Sequence, residues 1–152
     1  GLQMRRFEKV SAEVFDGEVN IPKRATERSA GYDIESAEDV TIYPHEQAVI
    51  KTGLKARMLP DEVLMIFIRS SMAIKKGLAL VNGTGIIDSD YYNNFRNEGH
   101  ILVCLQNNTN MPYHVRKGER VAQGIFLKYL VTDDDSADGK RSGGIGSTNV
   151  RG

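Results

Sequence analysis

The sequence predicts an all-β fold, a sandwich or jelly-roll assembled from many short strands. Three observations point there. Apolar runs are short and rich in Val, Ile, Leu and aromatics, as at Val63–Ile68, Ile101–Leu105 and Val121–Leu130. Turn pairs fall between the runs: Asp16-Gly17, Thr52-Gly53, Asn82-Gly83, Asn107-Asn108 and Lys117-Gly118. A single segment, Ser70–Lys76, reads as helix, and only for a turn or two.

The elements follow in order. Val10–Phe15, Val40–Ile42 and Ala48–Ile50 are short strand candidates. Val63–Ile68 is an unbroken apolar run, the pattern of a strand buried on both faces. Ser70 or Ser71 stands where a hydroxyl can cap the short helix. Leu80–Tyr91 is a strand, a Gly-rich turn and a second apolar pair that delivers Asp88, Asp90 and Tyr91 together. Ile101–Leu105 and Val121–Leu130 complete the strands. After Leu130 the composition changes to Asp133-Asp134-Asp135, glycines and few large apolar residues. Such a tail cannot bury enough surface to order itself. The expected organisation is one β domain over residues 1–131 and a flexible arm over 132–152, with no internal repeat.

Composition narrows the function. The 152 residues are 40% apolar and 26% charged, with twenty basic residues against twenty acidic ones. Zero net charge argues against a general binder of nucleic acid or membrane surface, whose footprint is basic. Cys104 is the lone cysteine, so no intrachain disulfide can form, and a reducing, cytoplasmic setting is expected. No apolar stretch nears the ~20 residues a membrane helix needs. No secretion signal is evident.

Three groupings bear chemistry, each with a plainer alternative. Asp88 and Asp90 fit a general base that activates water, or ordinary turn chemistry. Arg69-Ser70-Ser71 ends the most apolar strand; it fits a phosphate site at a helix N-terminus, or a cap beside a surface arginine. Lys140 to Thr148 offers glycine N–H groups with Lys140 and Arg141 as charge, or a flexible tail. It is not a Walker loop, because its basic residues precede the glycines. His45, His100 and His114 are scattered, which with one cysteine makes zinc a poor fit. Carboxylates with phosphate donors suit Mg²⁺, which is often held mainly by substrate phosphates.

Five blocks in order resemble the trimeric deoxyuridine triphosphatases. They are Ser29-Ala30-Gly31-Tyr32-Asp33-Ile34 with Ser36-Ala37; Arg69-Ser70-Ser71-Met72-Ala73; Asn82 through Gly85-Ile86-Ile87-Asp88-Ser89-Asp90-Tyr91; Gly118-Glu119-Arg120-Val121-Ala122-Gln123; and Gly143-Gly144-Ile145-Gly146-Ser147-Thr148. The resemblance implies a distorted jelly-roll homotrimer whose sites draw on more than one subunit. The implied activity is hydrolysis of dUTP to dUMP and pyrophosphate, which lowers dUTP and supplies dUMP for thymidylate synthesis. It implies that the third block is a β-hairpin in which Asn82, Gly85 and Ile87 serve the uracil. Tyr91 would pack on the deoxyribose and leave no room for a 2′-hydroxyl. Asp88 would activate the water that attacks the α-phosphorus. Ser70, Arg69 and Gln123 would serve the phosphates as catalytic groups, with Ser71 beside them. Asp33 would reach Mg²⁺ through water. Ile145, Gly146, Ser147 and Thr148 would close over the nucleotide, and Arg141 or Lys140 would meet the γ-phosphate.

The chain departs from the family pattern in several places. Ser71 replaces a usual glycine and Tyr92 a usual arginine. Residues Tyr92–Asn97 are extra. Ile145 replaces the aromatic that stacks on uracil, and Asn149 a glycine. Arg141 lies four residues before Ile145, while Lys140 holds the commoner spacing of five. The Arg-Ser-Ser run is more like dCTP deaminases, which share the fold. Their proton-shuttling glutamate would fall at Cys104, however, and they lack the Asp90-Tyr91 pair. A non-catalytic nucleotide-binding module is the other alternative; it would have no need of Asp88.

Overall fold

This computed structural model describes residues 4–141. Among them run twelve short strands: β1 (Arg6–Lys9), β2 (Lys23–Arg24), β3 (Tyr32–Glu35), β4 (Val40–Ile42), β5 (Gln47–Lys51), β6 (Leu54–Arg57), β7 (Glu62–Ile68), β8 (Leu78–Leu80), β9 (Gly85–Asp88), β10 (Leu102–Asn107), β11 (Tyr113–Val115) and β12 (Arg120–Lys128). The largest sheet has the order β2-β3-β12-β7-β9. A three-stranded sheet runs β5-β10-β8, while β1 pairs with β6 and β11 with β4. Every ladder is antiparallel. The all-β expectation is met.

Alternation decides which side chains build the core. Along β10, Val103, Leu105 and Asn107 are buried while Leu102 is exposed, the period-two signature of a strand with one face inward. Ile34, Ile42, Ile50, Leu64, Ile101 and Leu105 are almost wholly buried and belong to one apolar cluster. Each such side chain contributes roughly 1.5–3 kcal/mol of burial. The buried Asn107 is fully bonded. Its Nδ2 donates to the carbonyls of Ile42 and Met111, and its Oδ1 accepts from Thr109. That locks the turn after β10.

Four local expectations need correction. Val10–Phe15 is a turn, with the strand lying earlier, at β1. The Ser11 carbonyl accepts from the N–H groups of Val14 and Phe15, and Val10 donates to Gly53, so local bonds displace a ladder. The 63–68 strand is not buried on both faces: Leu64 and Ile66 are buried, while Val63, Met65 and Phe67 are half-covered. The helix is a single wide π-type turn over Ser71–Lys75, with Ser70 already helical (φ −55°, ψ −42°) and making no side-chain cap. A hydroxyl cap needs an extended cap residue. The Arg69 carbonyl instead collects the N–H groups of Met72 and Ala73, and buried Met72 anchors the turn. Finally, Leu80–Tyr91 is not a paired hairpin. β8 pairs with β10 and β9 pairs with β7, so its two arms belong to different sheets.

Candidate active site

Two clusters of predicted site residues form, at opposite ends of β7. The first gathers around Asp33. In the large sheet Gln123 lies opposite both Asp33 and Phe67, and Ala122 opposite Ile34 and Ile68. Ile34 and Ala122 point into the core, so Asp33 and Gln123 take the opposite face. Arg69, just past β7, sets its Nε 3.3 Å from Asp33 Oδ1, and an Arg120 terminal nitrogen lies 3.8 Å from Oδ2. The Arg69 guanidinium also donates to the Arg120 carbonyl at 3.4 Å. Gly31 leaves room for the Gln123 side chain: a Cβ on it would lie 2.5 Å from Gln123 Oε1, so the amide would have to shift. Ser70 is exposed beside this group and Ser71 is half-buried. The result is a shallow basic corner with hydroxyl and amide donors, suited to an anion with several oxygens.

The second cluster lies along β9, an edge strand of the large sheet. Asn82 and Gly83 form an exposed turn in which Gly83 donates to the Leu80 carbonyl and Thr84 to the Asn82 carbonyl. Gly85 lies opposite Ile66, and a Cβ there would come 3.0 Å from the Ile66 Cβ. Ile87 follows, half-buried. Asp88 ends the strand opposite Val63, and Ser89–Tyr91 form a 3₁₀ turn. Arg141 bridges the two acids, donating from Nε to Asp90 Oδ1 at 2.7 Å and from a terminal nitrogen to Asp88 Oδ2 at 2.5 Å. Its side chain is only 11% exposed. The resemblance gives the γ-phosphate to Arg141 or Lys140; in this structure Arg141 holds both carboxylates. Lys140 is exposed. Ile145, Gly146, Ser147 and Thr148 lie outside the described residues.

The two clusters are far apart. Asp88 faces Val63, whereas Arg69 and Ser70 follow Ile68 at the other end of β7. The five strand steps from Val63 to Ile68 span about 17 Å. A base must lie within hydrogen-bond reach of the water it activates. As placed here, Asp88 and Ser70 of one copy stand too far apart to reach one phosphorus together.

Among the described residues no group of three or more His, Cys, Asp or Glu could hold a metal. Asp33 faces two arginines. This donor set does not make a protein cage for a cation, but it fits an ion carried by substrate phosphates and met by at most one carboxylate.

Tyr91 is half-buried, and burial pushes its phenol up, so it remains a protonated donor. Its hydroxyl donates to the His100 carbonyl at 2.7 Å. The loop that follows is tied down by Glu98, which accepts from Lys55 Nζ, the Ser11 hydroxyl and the Ser11 N–H. The Lys55 and Ser11 bonds hold the Glu98 carboxyl down to about 2. A carboxylate depressed on folding adds stability above its unfolded value, and loses it as pH falls through the folded one. Wild type should therefore melt above Glu98→Gln at neutral pH, and the gap should close between about pH 4.5 and about pH 2. Melting curves of both proteins across that range test this; a gap as large at pH 2 as at neutral pH would refute it. Neither this anchoring nor Arg120's contact with Asp33 was legible beforehand. The only hint was the run of Asn residues and Gly99 after Tyr91.

Comparison with known proteins gives a consistent result. A family model described as dUTPase matches residues 17–149. A deoxyuridine 5'-triphosphate nucleotidohydrolase of Lactococcus lactis subsp. lactis (strain IL1403) is 51% identical over 149 residues, covering 97% of this chain and 99% of that protein. The crystal structure of a dUTPase from Streptococcus mutans superposes with a TM-score of 0.79 at 43% identity, covering 84% of this chain and 98% of that one. A variant dUTPase from phage phi11 of S. aureus, whose structure concerns coordination of a structural Mg(II) ion, shares the fold: TM-score 0.70, 22% identity, 89% of this chain and 97% of that one. The architecture is thus the jelly-roll type of these neighbours. Among the described residues no helix is long and apolar enough to cross a membrane.

Proposed function

The chain belongs to the dUTPase family and is by that membership an enzyme that hydrolyses dUTP; from this premise we propose that it cleaves dUTP to dUMP and pyrophosphate in sites built from more than one copy of the chain. The observation that carries this reading is the position of Asp88. One short strand carries both the base-reading turn at Asn82–Gly85 and this exposed carboxylate. A nucleotide held by the turn continues past Tyr91 towards it.

In this reading backbone groups of the Asn82–Gly85 turn, with Asn82 and Ile87, hold the uracil edge, and Tyr91 lies against the sugar. Asp88 takes a proton from water as the water oxygen attacks the α-phosphorus. The bond from the α-phosphorus to the α–β bridging oxygen breaks, and pyrophosphate leaves. Ser70, Ser71, Arg69 and Gln123 of a neighbouring copy donate to the phosphates and stabilise the charge that develops there. Arg141 exchanges its carboxylates for phosphate when nucleotide enters, with Lys140 beside it. Ile145, Gly146, Ser147 and Thr148 are assigned to the nucleotide by resemblance to the family's fifth block alone. Mg²⁺ bound to the phosphates, with Asp33 meeting it through water, would neutralise charge and fix their geometry.

The separation of Asp88 from Ser70 supports a shared site, and the outer face of the three-stranded sheet offers a surface for assembly. Val49 lies opposite Cys104, and Val81 donates its N–H to the Cys104 carbonyl. Leu102 continues that face two residues along. Val49, Val81 and Leu102 are 52%, 44% and 43% exposed in the isolated chain. A second and third copy would cover this apolar row, giving a homotrimer. The dUMP product would supply thymidylate synthesis.

The test is pyrophosphate release with Mg²⁺ from dUTP, dCTP, dTTP and UTP. dUTP should be preferred strongly, with dCTP rejected by about 10⁴-fold because its exocyclic group leaves buried polar partners unpaired. Equal turnover of dUTP and dTTP would sink the base-reading turn. Ammonia release from dCTP would move the chain towards the deaminases.

A further inference from the structure

We propose that Asn97 is a positioning residue for sugar selection: together with the His100 carbonyl it clamps the Tyr91 hydroxyl, so that the ring cannot yield to a 2′-hydroxyl. The proposal rests on the reading of Tyr91 as the residue that packs on the deoxyribose. A ring tethered only at its Cα can swing about its side-chain torsions and make room. A ring bonded at its far end as well cannot swing without breaking those bonds.

Both bonding capacities of the Tyr91 hydroxyl are used. It donates to the His100 carbonyl at 2.7 Å and accepts from Asn97 Nδ2 at 2.9 Å. The Asn97 amide is itself oriented, since its Oδ1 accepts from Asn94 Nδ2 (2.8 Å) and the Gly99 N–H (3.1 Å). That leaves Nδ2 facing the tyrosine. Asn94 is 7% exposed, and its Nδ2 also donates to the Tyr91 carbonyl at 2.7 Å. Tyr91 is thus gripped at its backbone and at its hydroxyl by the same loop. The loop closes tightly because residue 99 is glycine: its φ is +88°, and a Cβ would lie 2.7 Å from the Tyr91 carbonyl oxygen.

The acceptor at the other side is equally fixed. His100 is 4% exposed, and its Nε2 accepts the Gly53 N–H at 2.9 Å. Lys55 joins the loop to β6 through Asn93 and Glu98. The extra residues Tyr92–Asn97 therefore brace the side chain that precedes them.

Steady-state kinetics on dUTP and UTP with Mg²⁺ test the clamp in Tyr91→Phe, Asn97→Ala, the double variant and Tyr91→Ala. Tyr91→Phe keeps the ring and the Asn94 bond to the Tyr91 carbonyl, so the loop stays closed. It should lower the dUTP-to-UTP ratio of kcat/KM by about tenfold, the scale of one or two ordinary hydrogen bonds, mainly by raising kcat/KM for UTP. Asn97→Ala should lower the ratio in the same direction. The double variant should be no less selective than Tyr91→Phe, because without the hydroxyl Asn97 has no bond to the ring; its remaining bonds to Asn94 and Gly99 serve the loop alone. Additive losses in the double variant would overturn the clamp. So would an unchanged ratio in both single variants while Tyr91→Ala loses selectivity, though Tyr91 would then keep its sugar role. An unchanged ratio in Tyr91→Ala would remove that role and the clamp together.

Discussion

Replacing Asp88 by asparagine should cut dUTP turnover by about 10²–10⁴-fold, the contribution of a positioned general base, while nucleotide binding persists. The change is nearly isosteric, and Asp88 is exposed at a strand end, so the fold has little reason to suffer. Arg141 would keep Asp90 as a partner. Turnover and binding of a non-hydrolysable dUTP analogue, measured on the same preparation, separate chemistry from affinity. Near-normal turnover would remove Asp88 from the role of base. Lost binding with lost turnover would make it a structural residue.

Mixing two dead variants should restore activity. Asp88→Asn and Ser70→Ala each remove a group from opposite ends of β7, about 17 Å apart by strand spacing. If each site takes its base from one copy and its phosphate donors from another, co-assembly creates sites with both intact. Random assembly from equal amounts gives about a quarter of such sites in a symmetric ring. Co-expressing the two chains and measuring pyrophosphate release reads this directly. Recovery on that scale supports the shared site. Activity no higher than that of the two variants alone would confine each site to one chain, and would then require Asp88 and Ser70 to meet by rearrangement.

Asp88, Tyr91, Ser70, Arg69 and Gln123 were candidates by resemblance, each carried by a short block of contiguous residues; which of them stand together was not legible. Several strands were legible, since short apolar runs between turn pairs are local, though Val10–Phe15 proved to be a turn. Strand partners were not. Leu80–Tyr91 reads as one hairpin, yet β8 and β9 bind different neighbours. The Ser70 cap failed for a related reason: packing of Met72 and the Arg69 carbonyl made Ser70 helical, overriding a local preference. The grip of the Asn94–Gly99 loop on Tyr91 was hidden because it depends on side-chain amides meeting across a closed turn, which composition cannot specify.

By itself the sequence determined the all-β class, the order of the motifs and the chemical type of each candidate group, because these are written in contiguous residues. Only the tertiary structure decided which groups meet. Register places Asp88 opposite Val63 and Gln123 opposite Asp33. Register is fixed by burying one face of each strand against residues far along the chain. It separates Asp88 from Arg69 and Ser70, and thereby makes a second copy of the chain part of the proposed chemistry.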